Sequence, residues 1–189
     1  EINKKKKQFV PEKKDYFLAV GRLTRQKNFM FLCKAFKKIV DKNNDTILLI
    51  AGEGENKTKI LDYINRNNLK KNIILLGHVE NIFPYFVNAK AFILTSLWED
   101  PGFVLVEAGF SRTLILSSNS KPGPNELIIN NLNGIVYNQD DIIDFQLKFE
   151  QVLKIKNSKK LKINNLKNIK KFTIFNHYKK LYDLISDKD

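Results

Sequence analysis

Residues 96–108 read SLWEDPGFVLVEA. They contain two glutamates, Glu99 and Glu107, with seven residues between them. A carboxylate accepts hydroxyl hydrogen bonds on both oxygens, which suits a ribose or a hexose. Pro101 and Gly102 predict the start of a helix, whose free N–H groups and partial positive charge suit a phosphate. The stretch predicts a site for a sugar joined to a phosphate. It equally suits an ordinary helix start whose acidic residues favour the dipole, with one glutamate facing solvent.

Two cations follow an earlier apolar run, DYFLAV at 15–20. Arg22 and Lys27 lie between that predicted strand and a predicted helix, beside Gly21. Arginine grips phosphate oxygens in pairs and lysine adds a point charge, and glycine lets the backbone approach a ligand closely. The alternative is that both cations are solvated bases flanking a helix.

The sequence gives little support for a metal site or for a catalytic Ser/His relay. His78, in LGHVEN, has no second histidine near it, so a structural role is favoured over catalysis. No pair of acids has a spacing that predicts a metal site. The GEGENK segment lacks the third glycine of a dinucleotide fingerprint and reads as a tight turn. We therefore expect no metal ion and no cofactor.

The candidate phosphate- and sugar-binding residues must be positioned by the surrounding fold, which the sequence predicts to be alternating strands and helices. Continuous apolar runs predict buried strands at 15–20, 46–51, 72–76, 91–94, 113–116 and 134–137. Helical periodicity predicts helices over 28–40, 57–68, 82–88, from 103 onward, 125–130, 140–153, 161–169 and 173–185. The alternation predicts an α/β fold, a Rossmann-like parallel sheet of about six strands covered by helices on both faces.

The polar clusters all follow predicted strands. Parallel sheets bind ligands beyond the carboxyl ends of their strands, so the clusters at 21–27, 52–55, 77–81, 96–107 and 117–125 should converge on one rim. Residues 122–126 (PGPNE) predict a rigid turn into a helix. We divide the chain into a linker or frayed end at 1–14, a Rossmann-like domain at 15–171 and a C-terminal helix and tail at 172–189.

Length and composition limit the class of protein. At 189 residues the chain holds one domain, with or without an appendage. No apolar run is long enough to span a membrane, and the lysine-rich start lacks the apolar core of a signal peptide. The chain does not begin with Met, which suggests a piece of a longer protein. The single Cys33 fits a reducing compartment, and its apolar helical surroundings predict a core residue.

The net charge of +13 is concentrated at the two ends. Residues 1–14 carry six Lys against two Glu, and residues 148–189 carry twelve Lys against four acids. Nucleic-acid-binding surfaces usually interleave arginine and aromatic residues, whereas these ends have lysine without arginine. A coding bias toward Lys, Asn and Ile explains them, and attraction to an anionic membrane surface is the alternative.

The order of segments resembles a known family. GRLTRQK, LLIAGEGE, IILLGHVEN, AFILTSLWEDPGFVLVEAG, SKPGPNELI and NGIVYN are similar, in order and spacing, to the donor-binding half of the family-4 retaining glycosyltransferases of GT-B fold. The resemblance covers roughly residues 15–140 and implies that an N-terminal acceptor half is missing. SKPGPNELI also resembles transferases that build lipopolysaccharide, capsule and lipid-linked glycans.

The resemblance implies a role for each site residue. Arg22 and Lys27 would hold the donor diphosphate, with Gly21 beside them, and Glu107 would bind the ribose hydroxyls. Glu99, with the backbone near Gly102, Phe103 and Val104, would face the transferred sugar and the phosphate. The loop at Val79 would line the nucleobase pocket. Glu99, Arg22 and Lys27 are thus the expected catalytic residues.

The expected activity is a hexosyltransferase that moves a sugar from a UDP- or GDP-linked donor to a glycan or lipid-linked acceptor. Without the acceptor half, this chain alone is expected to be inactive. We expect a cytoplasmic protein that binds no nucleic acid, with contact to the inner face of the membrane left open. Two alternatives remain: a non-catalytic nucleotide or sugar binding module on the same fold, and a basic adaptor for nucleic acid or a membrane surface.

Overall fold

The computed structural model describes residues 16–100 and 102–186. Within them, the strands are β1 (Tyr16–Val20), β2 (Ile47–Ala51), β3 (Ile73–Gly77), β4 (Ala91–Leu94), β5 (Ile115–Ser118) and β6 (Ile135–Tyr137). The helices are α1 (Phe29–Lys42), α2 (Lys57–Arg66), α3 (Phe83–Asn88), α4 (Phe103–Phe110), α5 (Pro124–Leu127), α6 (Ile142–Lys154), α7 (Lys159–Ile169) and α8 (Ile174–Ser186), with a 3-10 turn at Lys170–Phe172. The predicted linker at 1–14 and Pro101 lie outside the described residues.

All six strands form one parallel sheet in the order β3-β2-β1-β4-β5-β6. The central strands are apolar along their whole length because helices cover both faces. The predicted fold class is therefore confirmed. The chain reverses its direction of travel across the sheet between β1 and β4, and the crevice beyond their carboxyl ends is where such sheets bind ligands.

Each face of the sheet has its own core. On one face α1, α2 and α6 pack around a cluster of aromatic rings in which Phe17 lies 4.4 Å from Phe149, centroid to centroid. Cys33 is fully buried in this cluster, as predicted, and burial raises the pKa of its thiol to about 12, so it is an inert core residue. On the other face α3, α4 and α5 cover Leu18, Phe92 and Ile115.

The fifth strand lies two residues later in the chain than predicted, at Ile115–Ser118 instead of 113–116. Thr113 belongs to the turn after α4, because its N–H donates to Ala108 O and its hydroxyl to Phe86 O. The strand instead runs on through Ser117 and Ser118, which are buried although polar. Ser118 Oγ donates to Ser96 O at 2.9 Å, and this partner allows a serine inside the sheet.

Most of the predicted helices differ from the observed ones by one to three residues at an end. The helix predicted at 125–130 spans only Pro124–Leu127, because the buried Asn133 side chain accepts from Ile129 N–H and donates to Leu127 O, which holds the following chain extended. The helix predicted from 161 begins at Lys159 instead.

The C-terminal helix α8 packs mainly against the 3-10 turn and exposes an apolar stripe that includes Phe175 and Tyr178. The division of the chain into a domain at 15–171 and a C-terminal helix and tail at 172–189 stays a prediction. Among the described residues no helix combines the length and apolar character needed to cross a membrane.

Candidate functional site at the β1–β4 crevice

The loops after β1 and β4 are joined to each other at the crevice. Leu97 N–H donates to Gln26 O at 2.8 Å, and the Gln26 side-chain amide donates to Trp98 O at 2.9 Å. Thr95 Oγ1 donates to Lys27 O at 2.8 Å. These bonds fix one loop against the other, so residues 72 positions apart in the chain form one rigid unit.

Lys27 and Glu99 form an ion pair inside this unit. Lys27 Nζ lies 2.5 Å from Glu99 Oε1, and the two side chains are only 14% and 5% exposed. The Lys27 side chain crosses directly over Gly21, whose missing Cβ leaves room for it. A lysine ammonium has three N–H donors, so two remain for a ligand after the bond to Glu99.

Glu99 is held from three sides. Ser96 Oγ donates to the same oxygen, Oε1, at 2.5 Å, which leaves Oε2 for another donor. Gly102 lies against the Glu99 side chain, and Gly123 lies against its Cβ and carbonyl oxygen. Gly123 has φ +94, and a Cβ there would be 2.9 Å from Glu99 O, so only glycine fits both the backbone conformation and the space.

The start of α4 presents backbone donors beside this pair. Gly102, with φ +80, precedes the helix and has no side chain to cap it. The first N–H groups of a helix have no partner within it, so those of Phe103 and Val104 are available to an anion. The Phe103 ring is 68% exposed above this helix start.

Glu107 lies one turn further along α4 and is half-buried. Burial raises the pKa of its carboxyl above the ordinary 4.5. Its carboxylate has no hydrogen-bond or ion-pair partner among the residues that the structure describes. A half-buried acid without a protein partner is a candidate for binding a ligand.

A hollow of about 360 Å³ opens next to these groups, beyond the ends of β1, β2 and β3. It is lined by Val20, Gly21, Arg22, Ala51, Gly52, Glu53, His78, Val79 and Ile82. The loops around it touch closely: a Cβ on Gly52, at φ +140, would lie 1.9 Å from Gly21 O. Arg22 is exposed at its edge, with no acidic partner among the described residues.

The structure thus brings the predicted residues to one edge of the sheet, in two groups. Lys27, Glu99, Gly102 and the start of α4 share the crevice, whereas Gly21, Arg22 and Val79 line the adjacent hollow. In the described part of the chain, no cluster of three or more His, Cys, Asp or Glu side chains could hold a metal ion.

Sequence reasoning missed several groups at this edge. It treated Lys27 and Glu99 as separate groups, whereas they are paired, and it did not single out Ser96. It named Val79 for the hollow but not His78 or Glu53, which line the hollow as well. The spacing of Ser96 three residues before Glu99 was the available signal, because a serine hydroxyl often bonds locally over such a distance.

Comparison with known proteins identifies the family. Residues 1–170 match the sequence profile described as "Glycosyl transferases group 1". The chain belongs to this family. Its sheet and flanking helices correspond to one half of the GT-B fold of such glycosyltransferases.

Two individual glycosyltransferases are similar to this chain over most of its length. The chain is 31% identical over 178 residues to the UDP-Gal:alpha-D-GlcNAc-diphosphoundecaprenol alpha-1,3-galactosyltransferase of Escherichia coli, covering 90% of this chain and 45% of that protein. It superposes with a TM-score of 0.83 and 25% identity on a mutant of TarM from S. aureus in complex with Fondaparinux, alpha-GlcNAc-glycerol and UDP, covering 93% of this chain and 37% of that one.

A third comparison concerns size. The C-terminal domain of a glycosyl transferase group 1 family protein (LpcC) from Francisella tularensis shares the fold, with a TM-score of 0.69 at 18% identity. The match covers 88% of this chain and 96% of that structure. The chain spans less than half the length of the galactosyltransferase above.

Proposed function

We propose that this chain is the donor-binding half of a retaining, family-4 glycosyltransferase that transfers a sugar from a nucleoside diphosphate sugar to a glycan or lipid-linked acceptor. The observation that carries the proposal is the Lys27–Glu99 pair beside the free helix start of α4, at the reversal point of the sheet. It places a cation, hydrogen-bond acceptors and anion-binding N–H groups together.

The diphosphate would lie between Lys27, Arg22 and the N–H groups of Phe103 and Val104. When the glycosidic bond breaks, the departing nucleoside diphosphate gains negative charge. Lys27, held by its pair with Glu99, and the helix start stabilise that charge better than water does, because they are already oriented toward it, and Arg22 adds a second cation. The pair with Glu99 keeps the ammonium in place while two of its N–H donors remain for phosphate oxygens.

The two glutamates would bind different parts of the donor. Glu107 would accept the ribose hydroxyls through its unpartnered carboxylate. Glu99 has one oxygen occupied by Lys27 and Ser96, and its second oxygen would accept a hydroxyl of the transferred sugar. The nucleobase would enter the hollow at Val79, His78 and Glu53.

The class of acceptor is inferred from the relatives. One is named for a diphosphoundecaprenol acceptor, and another, from Campylobacter jejuni, for a PP-undecaprenol acceptor at 32% identity over 158 residues. We propose a role in the synthesis of a cell-surface polysaccharide, lipopolysaccharide or capsule, in the cytoplasm at the inner face of the membrane. The acceptor would be held by a second domain, in keeping with the greater length of the relatives.

The test distinguishes the roles of Glu99 and Glu107 by the part of the donor that each is proposed to bind. Glu107→Gln should weaken UDP and a UDP-sugar alike, by about 1–3 kcal/mol for a lost charge-assisted hydrogen bond. Glu99→Gln keeps a side-chain oxygen that can accept from Lys27, so it should lower UDP affinity less than Glu107→Gln does, while it weakens the additional affinity for the UDP-sugar. Isothermal titration with UDP, and with UDP-galactose, UDP-glucose and their N-acetylated forms, measures both.

The control is Asp62→Asn, which changes an exposed acid on α2, away from the crevice. It should alter neither affinity. Equal losses of UDP affinity in the Glu99 and Glu107 variants, with unfolding temperatures unchanged, would contradict the division of roles.

A further inference from the structure

A second hollow with a strongly basic lining lies at the opposite end of α4. It has a volume of about 330 Å³ and is lined by Arg112, Lys156, Asn157, Ser158, Lys159, Lys162 and Ile163. We call it the basic hollow. Four of its seven lining residues are cationic and none is acidic.

Two packed helices fix the walls of the basic hollow. Arg112 ends the turn after α4 in a left-handed conformation, φ +52, and its N–H donates to Gly109 O at 3.0 Å. The facing wall is the start of α7. Gly109 is buried against Ile169 and Asn165 of α7, and a Cβ there would be 2.5 Å from Ile169, so the two helices approach closely. The packing of α4 against α7 therefore places these cations next to each other, so the high lysine content is not the only reason for the basic lining.

Three of the four cations of the basic hollow are not paired with an acid in the part of the chain that the structure describes. Arg112, Lys156 and Lys159 have no carboxylate partner among the described residues. Like charges in one concave site repel each other, and an anion that enters removes that repulsion. Some lysines elsewhere on the surface are paired, as Lys37 is with Asp41 and Lys42 with Glu150.

The chemistry of the lining suits a phosphate group. A guanidinium binds phosphate oxygens in pairs and ammonium groups supply further donors. The Asn157 side chain already accepts from Lys159 N–H at 3.0 Å, which orders the loop next to those donors. The hollow is small enough that a phosphate inside it would be within reach of more than one cation.

The basic hollow is separate from the donor site. Arg112 follows the carboxyl end of α4, whereas Gly102 precedes its amino end. The eight residues of α4 separate the two by about 12 Å at the usual rise per residue. Glu107, the donor-site candidate nearest to Arg112 in the chain, does not line the basic hollow, and the two hollows have no lining residue in common. A ligand can therefore occupy the basic hollow while the donor site is full.

We propose that the basic hollow binds a phosphate group that is not part of the sugar donor. The group is either a soluble phosphate or the phosphodiester of an anionic lipid, in which case the hollow would orient this domain on a membrane surface. The inference does not rest on the proposed transferase activity.

The test compares Arg112→Gln/Lys159→Gln with a control, Lys34→Gln/Lys38→Gln, which removes two charges from the exposed side of α1. Two probes distinguish the sources of phosphate. Inorganic phosphate is titrated while backbone amide resonances are recorded, and co-sedimentation is measured with vesicles of phosphatidylcholine, with or without phosphatidylglycerol. Thermal unfolding, measured on every variant, reports whether the fold is intact, and UDP affinity reports separately on the donor site.

The hollow variant should bind one of the probes about tenfold or more weakly than the wild type, with UDP affinity unchanged. Phosphate-dependent shifts at residues 112 and 157–160 that disappear in this variant assign a soluble phosphate. Loss of binding to phosphatidylglycerol vesicles, kept by the control, assigns a lipid. No binding of either probe, or equal losses in the variant and the control, would overturn the proposal.

Discussion

Glu107 is the residue whose ionisation connects stability to ligand binding. Burial raises the pKa of its carboxyl, so the folded protein holds this proton more tightly than the unfolded chain does. The contribution of Glu107 to stability is therefore fully present below about pH 4.5 and is lost as the pH rises through the raised pKa. Binding to ribose hydroxyls favours the ionised form, so nucleotide affinity should change in the opposite direction.

We therefore predict opposite pH trends for folding and for binding. As the pH falls through the raised pKa of Glu107, UDP affinity should decrease while this residue's contribution to the free energy of unfolding increases. In Glu107→Gln, both the change in UDP affinity and the change in unfolding free energy that come from this residue should be absent. Titration calorimetry and urea unfolding over a pH series measure them.

Glu150→Gln is the control for these pH trends. Its carboxyl is exposed and bonded to Lys42, which lowers its pKa, so the UDP trend should remain in this variant. A Glu107→Gln protein that keeps the wild-type pH dependence of UDP binding would contradict the role given to this residue.

At the residue scale, the sequence identified candidates but not their pairing. Arg22, Lys27, Glu99 and Glu107 were selected because their types suit phosphate and hydroxyl groups. The contact of Lys27 with Glu99 depends on the side-by-side placement of β1 and β4, which are far apart in the chain. No local pattern contains that information, so the pair could be seen only in the structure.

At the scale of elements, the loop between β5 and α5 supports the site. Gly123 places this loop against Glu99, at a backbone conformation that other residues rarely adopt. Gly123→Ala should therefore destabilise the protein by roughly 1–3 kcal/mol, through backbone strain and the clash with Glu99. Because the relief of that clash displaces Glu99, affinity for a UDP-sugar should fall more than affinity for UDP.

Thermal unfolding and titration of the variant with both ligands measure these effects. The control is Asn125→Ala, an exposed position two residues further on, which should change neither property. An unaltered preference for the UDP-sugar in Gly123→Ala would show that this loop does not position Glu99.

The elements were predictable where hydrophobicity alone decides them. The apolar runs of β1, β2, β3 and β4 are long enough to mark a buried strand, and the structure places strands there. The displacement of β5 and the short α5 have a different origin, since both depend on side-chain hydrogen bonds of Ser118 and Asn133 to distant backbone groups. Such bonds are made only once the fold is formed.

At the scale of the whole molecule, the sheet order determines where the site is. The alternation of strands and helices predicted a parallel sheet and one rim for its polar loops. The order β3-β2-β1-β4-β5-β6 adds that the loops of β1 and β4 are neighbours and that the reversal point lies between them. The donor site then lies beyond the carboxyl ends of the strands, and the basic hollow lies at the carboxyl end of α4, between that end and the start of α7.

The central claim is that this edge binds a nucleoside diphosphate through the cations and helix start of the protein, and it is tested by titrating the chain with UDP, with and without EDTA. Because Arg22, Lys27 and the start of α4 supply the contacts, we predict binding of one UDP per chain that EDTA does not change. Arg22→Gln/Lys27→Gln should lose about 2–5 kcal/mol of binding free energy, and Arg66→Gln/Lys71→Gln, at exposed positions elsewhere, should lose none. Absence of UDP binding by the folded chain, or binding that EDTA abolishes, would contradict the account.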